Sequence, residues 1–184
     1  MIPSGPWSIR GLRAGYGAKT AIHALDLDLP LGRTTTVVGP GGSGKTTLLW
    51  AVAGAGRPES LWLEGDFGPP IEARLVVPQK APRCSEPGYV LGLLENLPTP
   101  SIVLLDEPFV QVPEEEHEAL HRRLAELTPD RTVVCVTHNL RHSRRMSDHV
   151  VLLVEGELIE SAPVDDFFER PQHPRTTDFL ITGS

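Results

Sequence analysis

Three groups of residues in this chain could do chemistry together. The first is Gly39-Pro40-Gly41-Gly42-Ser43-Gly44-Lys45-Thr46-Thr47, a glycine, four residues, then Gly-Lys-Thr. Glycines in such a run let consecutive backbone N–H groups turn toward one anion, and a helix starting near Lys45 adds the positive end of its dipole. The pattern is that of a P-loop. It assigns Gly39, Gly41, Gly42, Ser43, Gly44, Lys45, Thr46 and Thr47 to the phosphates of ATP, with Lys45 reaching the β- and γ-phosphates and the Thr46 hydroxyl holding Mg²⁺. The second group closes the apolar run Ile102-Val103-Leu104-Leu105 with Asp106-Glu107. Asp106 is expected to meet the same Mg²⁺ through water, and Glu107 to orient or deprotonate an attacking water. The third is Thr137-His138-Asn139, at the end of the apolar run 132–136. A histidine there points at the same crevice and is expected to sense the γ-phosphate.

These groups need strands that end side by side. Residues 34–38 read as a strand entering the first loop, and 48–53 as an apolar helix leaving it. The runs at 102–105 and 132–136 suit central parallel strands buried on both faces, whose C-terminal ends are where open α/β sheets place ligands. Residues 8–14 and 24–29 read as an opening antiparallel pair, the second alternating Leu25, Leu27 and Leu29 with Asp26 and Asp28. Between them Gly15-Tyr16-Gly17 offers an aromatic ring that could stack on a purine. Short strands are expected at 61–64 and 74–77 with turn chemistry at 65–70, and a helix at 85–96 with Ser85 as its N-cap and Pro87 in its first turn. A helix is expected over 113–127, another at 140–146, strands at 150–154 and 157–160, and terminal helices at 164–169 and 176–180. The expected fold is therefore α/β, a P-loop NTPase with a mostly parallel central sheet flanked by helices and a small antiparallel N-terminal β part.

His117-Glu118-Ala119-Leu120-His121 matches the HExxH zinc pattern. A zinc site also needs a third ligand and a cleft, and the sequence shows no third ligand. Leu120, Leu124 and Leu127 instead form an apolar stripe for packing on a sheet.

At 184 residues the chain is expected to form one domain. A net charge of -7, with no basic run denser than Arg141, Arg144 and Arg145, argues against nucleic acid. Cys84 and Cys135 have no CxxC spacing and suit a reducing compartment. No apolar run approaches bilayer length. The expected location is cytoplasmic, with peripheral contact at the inner face of a membrane made through a partner.

Taken in order, GPGGSGKTT, Gln79 after a strand, IVLLDEP and VTHN make the chain resemble the ATP-binding subunits of ABC systems over almost its whole length. The segments VTHNL, MSDHVVLLVEGELIE and FFERPQHPRTTDFLITG resemble the phosphate-importer ATP-binding subunits. The resemblance implies that Tyr16 stacks on adenine and that Gln79 is the Q-loop glutamine, acting in catalysis and on Mg²⁺. It further implies that Asp106 and Glu107 are the Walker B pair and His138 the switch histidine.

The departures are equally definite. Where the family inserts a helical subdomain carrying LSGGQ, only residues 80–100 are available here. The nearest remnant, Cys84-Ser85-Glu86-Pro87-Gly88, sets a carboxylate and an N–H-less proline where N–H donors are needed. Phe109-Val110-Gln111-Val112-Pro113 replaces the usual D-loop. Family ATPases close head to tail, each site completed by the signature of the other subunit. The expectation is thus a domain over 1–184 with the helical subdomain reduced or absent. It binds Mg·ATP and hydrolyses it weakly or with a protein partner, either another ATPase subunit or a membrane subunit, or as an atypical homodimer. The rival readings are a small-molecule kinase and a nucleotide-gated binding module without hydrolysis.

Overall fold

Thr34–Val38 is buried along its whole length and becomes an inner strand of the larger of two sheets. The computed structural model describes residues 5–53, 58–68, 73–77, 86, 88–95, 97 and 102–183, with the side chains of 73–77 and 111 outside the description. In chain order the elements are β1 (Trp7–Tyr16), β2 (Lys19–Leu29), β3 (Thr34–Val38), α1 (Lys45–Ala53), β4 (Leu61–Phe67), β5 (Ala73–Val77) and α2 (Tyr89–Glu95). They continue with β6 (Ile102–Asp106), α3 (Pro108–Gln111), a 3₁₀ turn (Glu114–Glu116), α4 (His117–Leu127), β7 (Thr132–Val136) and α5 (Leu140–Met146). Then follow β8 (His149–Val154), β9 (Glu157–Pro163), α6 (Val164–Glu169) and α7 (Pro174–Thr182).

The larger sheet runs β5-β6-β7-β3-β8-β9, parallel except for β9, which returns antiparallel beside β8. The smaller sheet is antiparallel in the order β2-β1-β4. Register matters most for the site. Val136 of β7 pairs with Asp106 of β6 on one side and Val37 of β3 on the other. The Glu107 N–H donates to the Val136 carbonyl (3.0 Å), and the Thr137 N–H to the Val37 carbonyl (3.2 Å). Three adjacent strands therefore end at one level, and the segments following each emerge together.

Helix α1 has no polar face because it lies between the sheets. Leu48, Leu49 and Val52 share a core with Ile9, Leu12 and Ile22 of the small sheet and Ile102, Leu104 and Val134 of the large one. Burying such a face removes its apolar surface from water at about 25 cal/mol per Å². On the opposite face, Leu120, Leu124 and Leu127 of α4 and Val90 and Leu94 of α2 cover Val103, Leu105 and Val133. The stripe read on α4 is thus the packing stripe, and the apolar residues Val90 and Leu94 point inward.

Several element bounds differ from expectation for local reasons. Residues 65–67 continue β4 instead of turning, with Asp66 paired to Arg10 and Phe67 to Ile9. Gly65 has φ 140°, and a Cβ there would come within 3.1 Å of the Arg10 carbonyl oxygen and the Leu12 Cα, so the glycine serves a bulge. Strand β2 begins at Lys19, and Ala24, at φ 48°, interrupts the alternation that hides its first half. The first turn of the expected helix over 113–127 is 3₁₀, and α begins at His117. Ser85, Pro87 and Gln79 lie outside the described residues.

Candidate functional site

The loop between β3 and α1 is held by close backbone approaches that only glycine permits. A Cβ on Gly39 would run into the Leu153 carbonyl oxygen, and one on Gly44 would stand 2.7 Å from the Ala21 carbonyl oxygen. Gly42 adopts φ 77°. The Ser43 carbonyl accepts from the Gly156 N–H (3.0 Å), so the β8–β9 turn braces the loop from outside. At the head of α1 the Lys45 ammonium curls onto its own loop, donating to the carbonyls of Gly39 (2.8 Å) and Pro40 (2.7 Å). Burial lowers its pKa, against the opposing pull of Glu107 and Asp106.

Thr46 Oγ1 donates directly to Asp106 Oδ2 at 2.9 Å. Asp106 is 2% exposed, and burial raises its pKa against the Thr46 hydrogen bond. A buried carboxylate and a hydroxyl at this separation are oxygen donors of the kind Mg²⁺ takes. One residue on, Glu107 sits at φ 51°, ψ 50°, a left-handed conformation that costs a non-glycine residue about 1–3 kcal/mol. That backbone aims the carboxylate sideways. Glu107 Oε1 lies 2.9 Å from Nδ1 of His138, whose side chain is 66% exposed. Asn139 caps α5 by accepting from the N–H groups of Arg141 (2.9 Å) and His142 (3.3 Å), which fixes the turn that presents His138.

One cleft of about 830 Å³ gathers Tyr16, Gly41 to Thr47, Asp106, Glu107 and His138. Gly39 lies behind it against Leu153, and Gln79 is outside the described residues, so its expected part in the site has no placement. Tyr16 is the last residue of β1, on a hairpin pinned by Trp62, whose indole N–H donates to the Gly17 carbonyl at 3.0 Å. A Cβ on Gly15 would fall against the Lys19 carbonyl oxygen and the Trp62 ring, so this neighbour of Tyr16 must be glycine. The cleft also includes Lys19, Thr20, His23 and Glu155, which the motifs do not mark. Their signal is topological: β2 and the β8–β9 turn flank the loop, and neither contact is visible in residue spacing.

The two histidines of the HExxH match do not stand alone. His121 Nε2 lies 3.0 Å from Nδ1 of His142, on α5, while His117 Nε2 donates to the Val112 carbonyl at 3.1 Å. Among the described residues, no group of three or more His, Cys, Asp or Glu is placed to hold a metal ion. Burial, followed by the Arg145 guanidinium and His142, pushes the His121 pKa down from the ordinary 6.5 to about 4. Between those values the unfolded chain binds a proton the folded one refuses. The neutral ring's contribution to stability is therefore complete above pH 6.5 and lost as pH falls toward 4. Thermal melts should show Tm dropping between pH 7 and 5, with a shallower drop in His121→Phe. Equal slopes would overturn this assignment.

No protein-family model matches the chain. Among solved structures, it is similar to a bacterial Atm1-family ABC exporter with ATP bound, with TM-score 0.71 and 15% sequence identity. The similarity covers 98% of this chain and 42% of that one. It points to an ABC-related fold and, at this identity, to nothing finer. Among the described residues no helix is long and apolar enough to cross a membrane.

Proposed function

We propose that the cleft binds Mg·ATP and that the chain is an ABC-type nucleotide-binding domain over 1–184, with its helical subdomain reduced, that hydrolyses ATP slowly or with a partner. The observation that carries this reading is the arrival of Lys45, the Thr46–Asp106 pair and the Glu107–His138 pair in one cleft from three strand ends that are level in register. Lys45 takes the β- and γ-phosphates and the N–H groups of Gly41 to Thr47 cradle them. Thr46 and Asp106 would hold Mg²⁺, with Gln79 joining by resemblance, and Tyr16 stacks on the base. Glu107 accepts the proton of the attacking water and His138 holds that carboxylate. The exporter of similar fold was solved with ATP bound, which agrees with this ligand.

Only residues 78–101 separate β5 from β6, and the sequence there has no LSGGQ. The γ-phosphate donors that a second subunit supplies in the family must come from elsewhere. Another ATPase subunit, a membrane subunit or an atypical homodimer fills that role, and the protein works in the cytoplasm, at the membrane's inner face when its partner is there. The tail resembles phosphate-importer ATP-binding subunits, so an importer of that kind is the natural assembly. Equilibrium binding of Mg·ATP beside steady-state hydrolysis over a wide range of protein concentration tests this. Binding without turnover, or turnover rising with concentration, is the expected result. Absence of Mg·ATP binding, or transfer of the γ-phosphate to a metabolite, would overturn it.

A further inference from the structure

Glu107 and His138 meet across the gap between two strand ends, and His138 is largely exposed, so their own hydrogen bond is a weak constraint on their separation. Each is followed almost at once by a helix, α3 after Glu107 and α5 after Asn139. These two helices are joined by an aromatic stack. Phe109, 6% exposed, lies flat on the His142 ring, with centroids 4.0 Å apart and planes 7° from parallel. Helix α4 backs the pair. His121 lies 4.5 Å from Phe109 and is hydrogen-bonded to His142, and His117 stands edge-on to both rings at 5.3 Å. Beside His142, the buried Ser143 hydroxyl meets Thr36 Oγ1 of β3 at 2.6 Å, so α5 is also tied to the strand that leads into the phosphate loop.

We propose that Phe109 and His142 are positioning residues for the hydrolytic pair, their stack setting the separation at which Glu107 and His138 meet. The proposal rests on the hydrolytic reading above. It also explains the chemistry of the segment 109–113. A buried aromatic ring there ties the Glu107 strand end to the His138 strand end within one chain.

The stack works with His142 neutral. His121 Nδ1 is buried with no partner among the described residues. A bare lone pair costs less there than an orphaned N–H, so His121 carries its proton on Nε2 and donates to His142 Nδ1. A proton on His142 Nδ1 removes that acceptor. The Arg145 guanidinium on α5, paired with Glu118 of α4, and the neighbouring rings of His117 on α4 and His138 ahead of α5 also oppose a proton on His142. Burial is the largest cause lowering the His142 pKa, ahead of His117, Arg145 and His138.

Hydrolysis and Mg·ATP binding are to be measured against pH for the full chain, Phe109→Ala, His142→Ala and His142→Phe, with ¹H–¹⁵N spectra of the His138 ring in each. A shift on the order of 1 Å in a reacting group can cost about 10²-fold in rate. His142→Ala and Phe109→Ala are expected to lose about tenfold or more in kcat with KM within about twofold. His142→Phe, which keeps a flat uncharged ring on Phe109 and gives up only the acceptor for His121 Nε2, is expected within about threefold of the parent chain and with its acid limb moved to lower pH. The His138 ring resonances should move in the alanine variants and stay in His142→Phe. Parental kcat in His142→Ala, or His142→Phe as impaired as His142→Ala, would overturn the proposal. If the chain alone binds Mg·ATP without turnover, the kcat comparison is made with the partner present, and absence of Mg·ATP binding is what removes the hydrolytic reading. The His138 spectra then still decide whether the stack positions that ring, and resonances unmoved in both alanine variants would reject it.

Discussion

Glu107→Gln should slow ATP hydrolysis by about 10²-fold or more, the range set by a positioned general base, and leave Mg·ATP binding intact or tighter. The amide keeps the shape of the side chain, and its oxygen can still accept from His138 Nδ1, so the 2.9 Å contact and the turn survive. What it loses is the ability to take a proton. It also removes a negative charge that would repel the phosphates of the proposed ligand, so binding should tighten if it changes. The backbone fixes where this side chain leaves the end of β6. A glutamate held at φ 51° keeps a conformation that costs stability, and such strain persists where the surrounding structure enforces it. The enforcing contact is the Glu107 N–H on the Val136 carbonyl. Single-turnover hydrolysis with labelled ATP, beside equilibrium binding, separates the two effects. Turnover within about twofold of the parent chain would remove Glu107 as base and favour a nucleotide-gated module.

The parts of this site at the ends of β6 and β7 were legible for one reason: each polar group comes at or just after the end of a buried strand. Asp106 and Glu107 follow four apolar residues, and His138 follows a β-branched run, so strand burial alone predicts where they emerge. The parts that were not legible depend on contacts between distant segments. Nothing near Lys19 or Glu155 marks them as neighbours of Lys45, because the β1–β2 hairpin and the β8–β9 turn reach the loop only through the packing of two sheets. His142 is a further case. The spacing of His117 and His121 invited a metal reading, but the third imidazole comes from another helix, and the rings are engaged with Phe109 and with one another. Gly65 was misread for a simpler reason, since a glycine at a bulge and a glycine at a turn look alike in one dimension.

Lys45→Ala should weaken Mg·ATP binding by about 10- to 100-fold, in line with the roughly 1.5–3 kcal/mol of a hydrogen bond to a charged group. The position of the ammonium makes this more than the loss of one contact. Lys45 donates to the Gly39 and Pro40 carbonyls, so ligand binding must draw the ammonium from two neutral acceptors to phosphate oxygens. That exchange is favourable because phosphate oxygens carry negative charge that the carbonyls lack, and the partly buried setting strengthens the attraction to the ammonium. Alanine removes the phosphate contact and leaves the two carbonyls to water, so loop order and affinity should both fall. The effect should track the phosphates alone. Adenosine, which the proposed site would hold through Tyr16 on the hairpin braced by Trp62, should bind the variant and the parent chain equally weakly, while ATP loses its advantage. Parallel titrations with adenosine, ADP and ATP measure this. If ATP and adenosine lost affinity together, the substitution would have disturbed the whole cleft, and Lys45 would not be the phosphate ligand assigned to it.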